Sequence, residues 1–458
     1  ETKNIFISEK DRSEFWKHYG TYRGGHPACA AGRHNPVGLA GDDARYNLAG
    51  YKVVIMLLSL PLQTIRSLEM CRYPYFILRE SLCLGTRTLD PVFRVVCWSL
   101  NIAFNGLFPS RAPFPGEALD EKRRRLQGQR LSGGPYAIAE VRGDWKWHRE
   151  CFLVTRHYNS TQVCCFCEAS KKRGPFSMSN FKEFHRTGFG QMTTAEFFLK
   201  SMGRYVCPLA MLKGFQPRMI SICSMHTSNL GICGWVNAAA AVLLALLERA
   251  EFGPTNEDLA HRLKVVTLRF RRWCAANKIQ QSQPYITVGM LHLGGSTAPE
   301  LSLKAYHSRV FLAFLAVTCE SAVAARPDDT ELVLCLGATS ALAQWHLYLE
   351  RCPRYLTQEQ GSEMVRLSLK FLTVYKTLAI RHALAGSLRF PLKPKLHSYQ
   401  ELNLQMTRER YNVRYLHTYR DEDMIGQTKS IVRAVHKDLL EMRSLCRLSL
   451  RLAAAPRH

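Results

Sequence analysis

Two aspartates and two short Cys/His pairs carry the residue types from which a chemical site can be built. Asp42 lies in Gly41-Asp42-Asp43, after a short strand-like run at 36–40, and Asp144 lies in Gly143-Asp144-Trp145, after a clear strand-like run at 136–141. A carboxylate at a strand end is well placed to hold a hard cation such as Mg²⁺. Two such carboxylates on neighbouring strands, joined by a third acid from a helix, can hold two metals that clamp the attacking and leaving oxygens of a phosphoryl transfer. Asp43 is an alternative to Asp42, and Gly-Asp pairs are also ordinary turn residues, so either aspartate alone says little. Cys164-Cys165-Phe166-Cys167 contains a C-x-x-C pair, and Cys223-Ser224-Met225-His226 a C-x-x-H pair. Cys164, Cys167, Cys223 and His226 make a tetrahedral Cys₃His zinc set. The 55 intervening residues exceed ordinary finger spacing. His157, His185 and Cys207 are reserve ligands, and the competing reading is a group of buried free thiols.

The elements that must position these residues fall into two kinds. Residues 1–35 form an irregular, polar lead-in, and 36–160 have α/β character. Residues 51–60 (YKVVIMLLSL) are nearly all apolar, which predicts a central strand covered on both faces. Residues 73–82 suggest another strand; 93–104 are apolar but ambiguous. Residues 161–229 are rich in Cys, His and Gly. From 230 to 389 the chain turns helical, with apolar residues at helical spacing over 235–250, 301–325, 330–351 and 361–385. Pro391 and Pro394 break this run, and a final helix is expected over 423–452, with Asp421, Glu422 and Asp423 at its start.

Bulk properties narrow the partners. The chain has 458 residues, 47% apolar and 22% charged, enough for a sizeable core. Its 62 Lys and Arg against 37 Asp and Glu give a net charge of +25, which favours a polyanion such as DNA. The apolar runs at 53–62 and 235–247 fall short of the ~20 residues that span a bilayer, so no membrane is expected. Sixteen scattered cysteines without a signal peptide point to reduced thiols and a metal site. From Arg366 onward, eighteen Lys or Arg stand against seven Asp or Glu, interleaved with aromatics and His. Lys393, Lys395, Arg408, Arg410 and Arg414 are the candidate nucleic-acid contacts in this stretch, by phosphate pairing and base stacking. A solvated basic face is the alternative.

The order of these motifs resembles that of eukaryotic DDE-class DNA transposases with a C/D-x-x-H signature, within them the Kyakuja–Dileera–Zisupton and CACTA-like groups. The resemblance rests on Gly41-Asp42, Val141-Arg142-Gly143-Asp144-Trp145, the C-x-x-C pair and Cys223-Ser224-Met225-His226 running on to Gly231. It continues through Lys393-Pro394-Lys395-Leu396-His397 to Tyr419-Arg420-Asp421-Glu422-Asp423. It covers roughly 36–450. It implies an α/β fold with a ribonuclease-H-like mixed sheet, split by a large all-helical insertion and carrying a small Cys/His zinc-binding region, with 390–458 completing the core. It implies DNA strand cleavage and transfer dependent on Mg²⁺ or Mn²⁺, with Asp42 and Asp144 as the first two acids. Glu422 would be the third, with Asp421 or Asp423 as rivals and Glu401 a further candidate. A structural Zn²⁺, a nuclear location, DNA as partner and a possible homo-oligomer belong to the same expectation. Asp43 stands where related sequences often have Gly. Two alternatives stay open: a catalytically inactive nucleic-acid-binding derivative, and a helical interaction protein whose zinc site is only structural.

Overall fold

A computed structural model describes residues 7–63, 67–131, 133–181, 190–245, 258–293 and 298–454. The strands are β1 (Asn35–Arg45), β2 (Lys52–Ser59), β3 (Arg72–Arg79), β4 (Tyr136–Gly143) and β5 (Ile220–Ile222). The helices that matter below are α1 (Glu9–Tyr22), α2 (Thr86–Asn105), α3 (Trp145–Phe152), α4 (Cys233–Ala245), α5 (Leu259–Ala276), α6 (Ala305–Ala325), α7 (Thr330–Arg351), α8 (Gln358–Leu384), α9 (Pro394–Glu409), α10 (Tyr419–Arg433) and α11 (Leu440–Ala454). The chain divides into two compact units. One comprises 1–157, 192–223 and 418–458; the other comprises 158–191 and 224–417.

The first unit holds a mixed sheet in the order β3-β2-β1-β4-β5. β1 pairs antiparallel with β2, and β2 with β3, while β1–β4 and β4–β5 are parallel. The apolar β2 was the expected centre, but β1 takes that place. Its run Val37, Gly38, Leu39, Ala40 is short-chained enough to be covered on both sides. β1 also continues through Gly41-Asp42-Asp43 instead of ending there, because Asp42 and Asp43 pair across to Ile55 and Val54 of β2. One face of the sheet is covered by α10 and α11, whose Met424, Ile425, Val432, Leu440 and Leu448 join Ala40, Ala44, Val53, Ile55 and Leu57 in one core. The single final helix expected from sequence is broken after Arg433, and a short 3₁₀ turn at Lys437–Leu439 leads into α11. The ambiguous apolar run at 93–104 is helical, within α2.

The second unit is helical. α4 carries an almost wholly apolar, buried sequence, entered through a π-helical stretch at Met225–Ile232. Phe270 of α5, Phe311 and Phe314 of α6 and Leu332 of α7 close over Ala238, Ala240 and Leu244. Start signals are local: Asp329 caps α7, Thr357 and Gln360 form a capping box on α8, and Pro394 opens α9 at a position where its missing N–H costs nothing. Residues 390–417, expected with the sheet, pack in this helical unit instead. Three stretches are long and apolar enough to cross a membrane by length and composition: Met225–Leu244, Ala305–Ala325 and Thr330–Arg351. The first is 94% buried inside the fold, and the other two are about half covered, at 44% and 50%.

Candidate metal and acidic sites

Asp42 lies within β1, and Asp144 immediately follows the neighbouring strand β4. The parallel register sets Ala40 beside Arg142, so two residues further on Asp42 of β1 falls level with Asp144, just past β4. Strands pair at about 4.8 Å, which places the two backbones side by side. The glycines before each aspartate have a specific role. A Cβ at either Gly41 or Gly143 would run into the indole of Trp147, which lies across both strands from α3. The two Gly-Asp pairs are therefore the seat of one tryptophan ring. Asp144 also caps α3, accepting from the Trp147 N–H at 2.6 Å, and Asp42 accepts from the Asp43 N–H at 2.7 Å.

Adjacent acids have other commitments. Asp43 points to the α3 side, where it pairs with Lys146 and Lys52. Burial alone would raise its pKa, but hydrogen bonds from the two lysines hold it below the ordinary carboxylate range. Asp421 is buried and pairs with Arg72, and with Arg142 Nη2 at 3.2 Å. Arg142 in turn lies 3.3 Å from Glu140, so two arginines and two acids form a buried neutral quartet under α10. Glu422 takes a different side of the helix. It accepts from Thr418 Oγ1 at 3.2 Å, and Thr418 Oγ1 also lies 3.2 Å from Cys223 Sγ, immediately after β5. Arg420, two residues from Glu422, reaches the carbonyls of Gln63 and Ser67 near the start of β3. Glu422 thus shares the side of α10 that carries Thr418, whose hydroxyl sits beside Cys223 at the end of β5. Asp423 is solvent-exposed, and its pKa is raised by partial desolvation against the pull of Arg420.

Among the described residues, the group that brings metal-ligating atoms within 4.8 Å of one another is not the acids but Cys164, Cys167, His397 and Glu401, all buried. The structure unites the expected C-x-x-C pair with a different second pair. His397 and Glu401 stand one turn apart on α9, a spacing that puts both on one helix face. Cys167 Sγ lies 3.2 Å from His397 Nε2, and that nitrogen lies 3.6 Å from Glu401 Oε1. A surrounding shell fixes these side chains. His397 Nδ1 is 3.2 Å from Gln400 Oε1, the Gln191 amide donates to Glu401 at 2.9 Å, and Arg408 donates to Gln191 at 2.7 Å. Burial pushes the Cys164 thiol up, but hydrogen bonds from Cys167 and His397 outweigh it and hold Cys164 well below the ordinary thiol range. Burial and the neighbouring Cys164 push Cys167 well up. Glu401 is raised by burial and by the charge of Cys164.

The remaining expected ligands lie elsewhere. Cys223 belongs to the sheet unit and contacts Thr418; His226, half-buried, is the second residue of the π-helical stretch of the helical unit. His157 and Cys207 are in the sheet unit, with burial pushing Cys207 up to about 12, and His185 lies outside the described residues. The expected nucleic-acid set is largely turned to internal tasks. Lys393 pairs with Glu300 at 3.7 Å and covers the Trp235 ring, and Lys395 packs beside Gly231. Arg408 holds Gln191, Arg410 holds Gln358, and Arg414, though exposed, reaches the Glu350 carbonyl. The aromatics between them are core: Tyr399 is fully buried against Trp345 and Phe371. The one sequence signal for His397 as a candidate ligand is its i,i+4 spacing to Glu401. Compared with known proteins, the chain matches no protein-family model and no curated sequence.

Proposed function

We propose that this chain is a transposase-like protein whose sheet unit is a ribonuclease-H-like core for metal-dependent cleavage and transfer of DNA strands. The observation that carries the proposal is the parallel register of β1 and β4, Ala40 beside Arg142, which carried two residues further sets Asp42 of β1 level with Asp144 just past β4, in a sheet ordered β3-β2-β1-β4-β5 with α10 packed on one face. The donor set suits a hard cation, because Asp42, Asp144 and Glu422 offer only carboxylate oxygens. Asp43 and Asp421 are spent on lysine and arginine partners. Mg²⁺ or Mn²⁺ held there would supply Lewis-acid polarisation of the phosphate and an activated water. The chain's own contribution is to fix the carboxylates: Trp147 locks the two Gly-Asp pairs, and the Thr418–Cys223 contact holds the start of α10 against β5.

The Cys164, Cys167, His397 and Glu401 group is proposed as a structural zinc centre of the helical unit. Two thiolates, one imidazole and one carboxylate are a chemically suitable tetrahedral set. Gln400, Gln191 and Arg408 provide the outer hydrogen bonds such centres require.

The test is cleavage of supercoiled DNA with Mg²⁺ and Mn²⁺ by the full chain. Asp42→Asn, Asp144→Asn and Glu422→Gln should each lower the rate by roughly 100-fold or more, the equivalent of the several kcal/mol such metals contribute, while DNA binding persists. Metal-dependent nicking that survives both aspartate changes refutes the assignment. A second reading, a cleavage-incompetent DNA-binding derivative, is favoured by one observation: Asp42, Asp144 and Glu422 are not among the ligand groups gathered within 4.8 Å. Binding without cleavage in either metal selects it.

A further inference from the structure

We infer that the exposed face of α5, with the turn that follows it, is a docking surface for the phosphate backbone of nucleic acid. Residues 259–299 contain Arg262, Lys264, Arg269, Arg271, Arg272 and Lys278 and no Asp or Glu. α5 sorts these by face. Leu263, Val266, Phe270 and Cys274 are buried in the core, whereas Lys264, Arg269 and Arg272 are exposed and Arg271 is half-buried. At helical spacing the last four fall within one arc of about 160°, and Lys264 to Arg272 spans about 12 Å along the axis. Lys278, also exposed, extends the group past the helix end. The next acid in sequence, Glu300, is already engaged by Lys393 and the Trp235 indole.

Two features select nucleic acid over other polyanions. A membrane-surface helix needs an apolar face to insert beside its basic one. The apolar face of α5 is consumed by the core, leaving Leu268 as the exposed aliphatic among the cations. Beside the helix, Tyr285 is 45% exposed and lies under the Arg271 guanidinium at 4.6 Å, while Arg271 Nη2 donates to the Gln283 carbonyl. That gives a fixed aromatic plate at the edge of a cationic stripe, suited to an unpaired base next to bound phosphates. This surface is independent of the Asp42 and Asp144 chemistry and needs no divalent metal.

The experiment uses the full chain, without divalent metal, and fluorescent 30-base-pair duplex and 30-nucleotide single-strand DNA of mixed sequence. The variant is Lys264→Glu, Arg272→Glu and Lys278→Glu together, with the corresponding triple Gln variant as a milder control; circular dichroism and thermal melting establish that each folds. Duplex affinity should fall at least about tenfold. The slope of log affinity against log salt should become shallower by roughly two to three, since each lost phosphate contact removes ~0.9. Tyr285→Ala should weaken single-strand binding roughly fivefold or more, with a smaller effect on duplex. Unchanged affinity and slope in both folded triple variants overturns the proposal even if wild-type cleavage is intact. Wild-type chain that binds anionic phosphatidylserine vesicles through these residues but not DNA also overturns it. Loss of cleavage in Asp42→Asn with α5-dependent binding retained separates the two sites.

Discussion

At the scale of single residues, neighbouring acids differ in what they are committed to. Asp421 sits in a buried quartet with Arg72, Arg142 and Glu140, and removing one partner of a buried ion pair leaves an uncompensated charge. Asp421→Ala should therefore cost about 3–5 kcal/mol in urea unfolding. Glu422→Gln, on a half-buried side chain, should cost under about 1 kcal/mol and act on cleavage alone. Equal destabilisation by the two would place Glu422 in the structural network. The proposed metal ligands separate in the same way. Purified protein should hold about one zinc per chain, and Cys167→Ser or His397→Ala should lose it and lower the melting temperature. Cys223→Ser should keep the zinc, because its sulfur faces Thr418. Zinc lost with Cys223 and retained without His397 would restore the ligand set expected from sequence.

At the scale of elements, buried polar groups tie helices to their supports. His26 follows α1, accepts from the Ala28 N–H at Nδ1, reaches the Ile138 carbonyl of β4 from Nε2 and stacks on Trp16. Burial pushes its pKa down to about 4. Protonation therefore favours the unfolded chain: the stability this arrangement contributes is present above about pH 6.5 and is lost as pH falls toward 4. His26→Gln should flatten the drop in melting temperature between pH 7 and pH 4.5; an identical pH profile would remove His26 as its cause. α9 is the second case. It lies in the basic C-terminal stretch, yet its own Lys395 and Arg408 are matched by Glu401 and Glu409, and Arg408 serves Glu401 through Gln191. Arg408→Glu should lower zinc retention and melting temperature more than it lowers DNA affinity. A selective loss of DNA binding at unchanged stability would return Arg408 to the nucleic-acid contact expected from sequence.

At the scale of the whole molecule, the net charge of +25 sets the long-range field. DNA affinity should fall linearly on a log–log plot against salt, with a slope that counts phosphates contacted. An affinity insensitive to salt between 50 and 200 mM, on the order of the range over which multi-phosphate binders weaken a thousandfold, would exclude a backbone-driven interaction.

The sequence by itself determined what is written within a dozen residues. The apolar β2, the strand leading to Asp144, the periodic helices α6 to α8 and the excess of positive charge were all readable, because side-chain periodicity and composition are local properties. Only the tertiary structure decided the rest. β1 reads as a weak run ending in a turn, since glycine and aspartate are turn-forming in isolation; pairing with β2 and the Trp147 ring laid over Gly41 and Gly143 keep it extended. Arg408 and Tyr399 carry the composition of a nucleic-acid surface, but Tyr399 is fully buried and half-buried Arg408 is turned to Gln191, because aromatic and long basic side chains are amphipathic and burial goes to whichever face packing closes. His397 and Glu401 stand 230 and 234 residues after Cys167. Nothing local ties such distant residues together. Their meeting depends on α9 packing its buried face against the loop that bears the two cysteines, a contact set by the shape of the whole helical core.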